Sequence, residues 1–322
     1  MINNLLSIII PHYNSVETLP KLITSIPKRD DIEIIIVDDG SDFSIDYIRE
    51  YIEPFSEDRN IKVLKNNTGV KGPGGARNEG LIVANGEWLL FADSDDSFVG
   101  DWYPHVSKYF DMDTDMVYFS PTGINADTGK PSTRHLRYVD VVENFANKPS
   151  KKTETEMKYS FCTPWSKLYR ASVAKENNLR FGDMMVSEDV YFVVQFARFA
   201  KNVLADKNVI YCVTRSSGTL SSAKKEADYD TRIDVLIWRY NYLKDNLSKK
   251  EFSYTNTEWL ALAKLADAVF DGWGLKKMFS VMKKYRKGNV KIFNAALFNP
   301  VVIKRNIEIE LKLWREIKNK RK

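Results

Sequence analysis

The sequence predicts an α/β fold: a mostly parallel, doubly wound sheet followed by a helical C-terminal region. Three observations carry this. Short β-branched runs alternate with helically spaced segments over the first 120 residues, the pattern of parallel strands joined by crossover helices. Those runs are mostly apolar and lack a regular alternation with polar residues, as expected of strands covered on both faces. From Asp228 onward only helical spacing remains.

The elements follow in order. Residues 6–11 are an isoleucine-rich first strand, and 17–26 have helical spacing. Residues 32–37 form a second β-branched strand ending in the acidic turn Asp38-Asp39-Gly40-Ser41. Residues 46–52 suit a helix, 61–64 a third strand and 75–84 a helix. Residues 88–92 form a fourth strand that runs into Asp93-Ser94-Asp95-Asp96, and 116–119 a fifth. Residues 121–160 are polar and contain Pro121, Gly123, Gly129 and Pro131, so they are expected to leave the sheet as an irregular excursion. Mixed structure resumes over 161–222. Helices are expected at 233–243, 259–270, 275–285 and 307–317. A cluster of Ser216, Ser217, Gly218, Ser221 and Ser222 sets a boundary, giving an α/β domain over 1–222 and a helical region over 223–322.

Composition narrows the class. The chain has 322 residues, 43% of them hydrophobic, which supports a sizeable core and excludes wholesale disorder. No apolar run approaches the roughly 20 residues of a membrane-spanning helix. Residues 1–10 lack a basic leader and a cleavage site, so they do not read as a signal peptide. Cys162 and Cys212 are too few for a disulfide scaffold, and a reducing, cytoplasmic location is expected. Residues 275–322 hold 15 Lys+Arg against 3 Asp+Glu, a net of +12, which leaves −7 of the total +5 to the rest. An acidic body with a basic tail points to an anionic partner such as a membrane surface.

Ligands of open parallel sheets bind beyond the carboxyl ends of the strands, and the polar motifs sit there. Asp93-Ser94-Asp95-Asp96 places three carboxylates in four residues, an arrangement that a hard cation such as Mg²⁺ or Mn²⁺ relieves. The glycine-rich stretch Gly69–Asn78 lacks the spacing of a P-loop or of a dinucleotide fingerprint, which counts against both classes. It still allows backbone to approach a phosphate, with Arg77 nearby. Ser187 is a good helix N-cap, and Glu188 and Asp189 suit a first helical turn.

Read together, the stretches SIIIPHYN, IIIVDDGSD, GPGGARNEGL, GEWLLFADSDD, PWSKLYR, SEDVYF and RSSGTLSS resemble glycosyltransferase family 2, whose members adopt the GT-A nucleotide-sugar fold. The resemblance covers about residues 5–222, with a nucleotide-sugar half near 1–120 and an acceptor half near 121–222. It implies that Pro11 and Tyr13 line a uracil pocket, that Asp39 accepts from the uracil ring and that Arg77 sits near base and phosphates. Asp93 would approach the ribose, and Asp95 would hold the Mn²⁺ or Mg²⁺ on the diphosphate. Asp96 would be a supporting partner or a contact to the donor sugar.

The same resemblance makes Asp189 the general base, with Glu188 orienting it. Trp165 and Lys167 of PWSKLYR would form an acceptor-side wall, and Arg215 of RSSGTLSS would stabilise the leaving UDP. The implied activity is inverting, metal-dependent transfer of a sugar from a UDP-sugar to a glycan or lipid-linked acceptor in capsule, O-antigen or other cell-surface polysaccharide synthesis. Nucleic acid is not an expected partner. Residues 300–322 combine basic residues with Trp314, and would either rest on the inner face of the cell membrane or pack on the protein with a basic outer face. Two other readings are a nucleotidyltransferase of related fold, for which no triphosphate loop is present, and a non-catalytic sugar-nucleotide or membrane scaffold.

Overall fold

The computed structural model describes residues 5–133, 135–215, 225–270 and 273–291. The chain divides into two compact units, Met1–Pro149 with Phe161–Ser217, and Ser150–Ser160 with Gly218–Lys322. The first unit runs β1 (Leu6–His12), α1 (Leu19–Thr24), β2 (Ile32–Asp38), α2 (Ile45–Ile52), β3 (Asn60–Lys65), α3 (Pro73–Val83), β4 (Trp88–Phe91), β5 (Ser97–Phe98), α4 (Tyr103–Ser107), β6 (Met116–Asn125) and α5 (Leu136–Asn147). Helix α6 (Lys151–Ser160) belongs to the second unit. The first then resumes with β7 (Lys167–Arg170), α7 (Ala171–Glu176), α8 (Asp189–Phe199) and β8 (Val203–Arg215).

One mixed sheet results, in the order β3-β2-β1-β4-β7-β6-β8-β5. Pairing is parallel from β3 to β4 and between β6 and β8, while β7 runs antiparallel to both of its neighbours. Every residue of β2 and β4 is buried, Glu33 and Asp38 included, as expected of strands covered on both faces. Glu33, fully buried in β2, is satisfied by Ser7 Oγ at 2.5 Å, Lys62 Nζ at 2.7 Å and the Asn85 N–H at 2.6 Å. Helix α3 lies close on β1 because Gly80 has no Cβ; one placed there would collide with Ile9 Cγ2.

The expected excursion over 121–160 is corrected. Strand β6 continues to Asn125, and α5 and α6 follow. Residues 121–125 look polar, but they pair with β8 from Pro121↔Tyr211 to Asn125↔Arg215. Pro121 is tolerated because the register shifts at Ser120/Pro121, where a ladder hydrogen bond is not required.

The second unit adds α9 (Glu226–Asn246), α10 (Lys249–Tyr254), α11 (Thr257–Phe270) and α12 (Gly274–Lys287). Its core gathers Tyr229, Ile233, Tyr240, Ala261, Leu265, Val281 and Tyr285. The expected helices at 233–243, 259–270 and 275–285 are present in longer form. Helix α10 was not expected, although its capping box is legible: Ser248 Oγ accepts from the Glu251 N–H, and Glu251 Oε2 accepts from the Ser248 N–H. The expected helix at 307–317 and the basic segment 300–322 lie outside the described residues. No helix among the described residues is long and apolar enough to cross a membrane.

Candidate active site

Strands β2, β1 and β4 are adjacent and parallel, so their carboxyl ends bring three loops side by side. Pro11 is half-buried at the end of β1, and Tyr13 stands 58% exposed beside it. Asp39 is held by its neighbours: Asn66 Nδ2 donates to Oδ1 at 2.6 Å, and the Gly72 N–H donates to Oδ2 at 2.6 Å. Gly72 has φ 106°, which a side chain would strain. Asp38 is buried and has a different task. It accepts from the Gly40 and Ser41 N–H groups and from His12 Nδ1 at 2.9 Å. Burial pushes the His12 imidazole towards its neutral form, against the pull of Asp38. His12, from which the sequence reading drew nothing, is thus a bolt between the first two loops. Asn14 and Asp42 form a second one, at 3.0 and 2.8 Å.

The acidic loop after β4 is tied to the rest of the site. Ser94 Oγ lies 2.7 Å from Ser15 Oγ, and Tyr211 Oη accepts from the Asp93 N–H at 2.8 Å. Asp93 and Asp95 are half-buried. Asp96 is buried; its Oδ1 accepts from the Thr214 N–H at 2.6 Å, and its Oδ2 has no hydrogen-bond partner. Burial, then repulsion from Asp93 and Asp95, raises its carboxyl well above the usual range. Asp96 therefore ties the acidic loop to β8 through Thr214.

Arg77, expected near base and phosphates, is an ion-pairing residue here. It is 4% exposed, and its guanidinium donates to Asp93 Oδ1 at 2.6 Å and to Glu188 Oε1 at 2.8 Å. Burial opposes its charge, but Asp93, Glu188 and Asp189 more than offset that. This one cation joins the acidic loop after β4 to the start of α8. Ser187 is corrected too: the helix has no side-chain cap, and Ser187 takes φ 62°, which turns the chain so that Glu188 meets Arg77.

Asp189 opens α8 with a half-buried side chain. Burial first, then the charges of Glu188 and Asp93, push its carboxyl up to about 7, against the attraction of Arg77 and Lys167. A carboxylate poised there is suited to taking a proton at neutral pH.

Trp165 and Lys167 do not form an open wall. Trp165 is 2% exposed and stacks on Tyr211 with ring centroids 5.8 Å apart. Lys167 is fully buried; Nζ donates to the Thr163 carbonyl and lies 3.3 Å from the Phe161 ring centroid. Both enter the middle of the sheet with β7, a placement set by the strand order. Arg215 ends β8 with an exposed side chain, and residues 216–222 of its motif lie outside the described residues. Arg137 was missed. It is exposed, its guanidinium lies over the Tyr138 ring at 4.7 Å, and it is within electrostatic reach of Asp189. No motif marks it, and only the fold brings it within electrostatic range of Asp189.

Residues 7–177 match the family described as glycosyl transferase family 2. The chain belongs to this family. A poly(ribitol-phosphate) beta-glucosyltransferase of Bacillus spizizenii is 32% identical over 68% of this chain and 34% of its own length. The putative glycosyltransferase EpsH of Bacillus subtilis is 30% identical over 64% of this chain and 59% of its own. This family 2 chain spans about a third of the length of the first relatives it matches, 34% and 37%. The structure of Staphylococcus aureus TarS 1-349 in complex with UDP-GlcNAc superposes with a TM-score of 0.62 at 24% identity, covering 79% of this chain and 72% of that one. The sheet and its flanking helices are therefore the GT-A fold of family 2.

Proposed function

We propose that this family 2 protein moves a sugar from a UDP-sugar to a hydroxyl of a cell-surface glycan acceptor, with inversion at the anomeric carbon. One observation carries the reading: Asp189, raised to about 7, is tied through Glu188 and Arg77 to Asp93 of the acidic loop. A proton-accepting group and a donor-binding loop are thereby held in one network. The named activities of the Bacillus and Staphylococcus relatives and the UDP-GlcNAc bound to TarS support it.

Tyr13 would stack on the uracil, and Asp39, preset by Asn66 and Gly72, would accept from it. The Asp189 carboxylate takes the proton of the acceptor hydroxyl while that oxygen attacks the anomeric carbon. The bond from that carbon to the diphosphate breaks, UDP leaves with the electron pair, and Asp189 later returns its proton to solvent. Arg215 would meet the charge of the departing diphosphate.

A divalent cation fits the loop after β4. The donors are all oxygens, Asp96 Oδ2 is buried without a hydrogen-bond partner among the described residues, and Arg77 donates to Asp93. No three His, Cys, Asp or Glu side chains among the described residues form a ready cage, so substrate phosphates would complete the shell, as is usual for Mg²⁺. Asp95, with Asp93, would hold the ion, which supplies positive charge at the diphosphate. The test is UDP release from a panel of UDP-sugars with Mn²⁺ or Mg²⁺ present, in parent and Asp189→Asn protein. Release that is equal in both, or absent with every donor, would reject the reading.

A further inference from the structure

The second unit carries a surface whose residues have no role in the proposed transfer. Helix α12 turns Val281 and Tyr285 into the core. On one flank, Lys277 and Lys284 are neutralised by Glu226, Asp230 and Asp234 of α9, at 2.7 to 3.7 Å. At about 3.6 residues per turn, Leu275, Phe279, Lys283, Arg286 and Lys287 share the remaining side. Leu275 is 59% and Phe279 60% exposed. The three cations are exposed, and none of them pairs with a carboxylate among the described residues. An open groove of about 1130 Å³ adjoins them, to which Lys244 and Lys291 add charge and Asp245 the sole carboxylate. Its floor is built: Asn241 Nδ2 donates to the Gly288 carbonyl at 2.8 Å, and Tyr240 Oη accepts from the Lys291 N–H at 3.3 Å.

Cations in a last helical turn complement the helix dipole. That accounts for Arg286 and Lys287, and for Lys244 in the last turn of α9, but not for Lys283 and Lys291, which have no carboxylate partner among the described residues, nor for two large apolar side chains on the same side. A soluble polyanion would use the charge and leave Leu275 and Phe279 in water. A bilayer interface uses both, since apolar side chains enter the acyl boundary while cations meet the headgroups. We infer that this side of α12, with the adjoining groove, docks the protein on an anionic lipid surface. The residues named here are distinct in sequence from 300–322 and from those assigned to transfer, so either reading can fail without the other.

The test is co-sedimentation of the full chain with phosphatidylcholine vesicles, with and without phosphatidylglycerol, and binding of inorganic polyphosphate. The variants are Phe279→Ser and Lys283→Glu/Lys287→Glu. All are surface changes, and unchanged melting and UDP binding would confirm that they fold. Each cation near an anionic surface contributes about fivefold in partitioning. The double variant should therefore lose at least about 25-fold on phosphatidylglycerol vesicles. Phe279→Ser should weaken vesicle binding and leave polyphosphate binding alone. Three results would overturn the inference. The parent could ignore phosphatidylglycerol vesicles, or both variants could bind like the parent. Binding could also depend on the lysines and not on Phe279, which would make this a soluble-polyanion site.

Discussion

Exchanging Asp189 for Asn probes the site through chemistry and stability together. Folding raises this carboxyl from 3.8 to about 7. One pH unit corresponds to about 1.4 kcal/mol, so a rise of about three units costs at most about 4 kcal/mol at pH 8. The side chain is partly exposed, and solvent screening brings the expectation to about 2 kcal/mol. The sign follows from linkage: a carboxyl raised in the folded state costs nothing below about 3.8. The cost grows as the unfolded chain ionises first, and it is constant above about 7. An amide avoids it. Asp189→Asn should therefore melt about 4–8 °C higher than the parent at pH 8 and at the same temperature at pH 3.5. In the same preparation UDP should bind as before, and turnover should fall about 10²–10⁴-fold. Scanning calorimetry at three pH values and a UDP-release assay read the two effects. A melting shift independent of pH would refute the buried-acid argument, and near-parental turnover would refute the proton transfer.

Three other outcomes are expected. Arg77→Met leaves the Asp93 and Glu188 carboxylates without their cation and should cost about 3–5 kcal/mol, read as a lower urea midpoint; a loss below about 1 kcal/mol would mean that solvent already screens the pair. Glu188→Gln removes the largest repulsion acting on Asp189, so the acidic limb of kcat/KM against pH should move to lower pH, and an unmoved limb would show that burial alone raises Asp189. Calorimetry of UDP should show tighter binding with Mn²⁺ than with chelator, and Asp95→Ala should abolish that difference; a difference that survives the substitution would place the ion elsewhere.

Residues 6–12, 32–38 and 88–91 are dominated by aliphatic and aromatic residues, with Ser7, His12, Glu33 and Asp38 as the polar exceptions, and a strand buried on both faces can be read from that pattern, because its composition is set by its environment on every side. The turns that end them, and hence the edge where Tyr13, Asp39, Asp93 and Asp95 gather, follow from the same local signal. Residues 121–125 show the limit: Pro-Thr-Gly-Ile-Asn has no strand character of its own and becomes one through β8, whose Tyr211 to Arg215 lie some 90 positions away. The antiparallel insertion of β7 is of the same kind, and Trp165, just before it, and Lys167 within it are buried where the family resemblance implied an acceptor-side wall. Arg77 in the sequence is one more arginine in a glycine-rich loop. Only the packing of α3 against the sheet and the left-handed turn at Ser187 bring Glu188, 111 residues on, within 2.8 Å of it. The identity of Asp189 as an acid near a helix start was legible from its neighbours. Its rise to about 7 was not, because burial and the charges of Glu188 and Asp93 act through space, and distance in space is what folding alone decides.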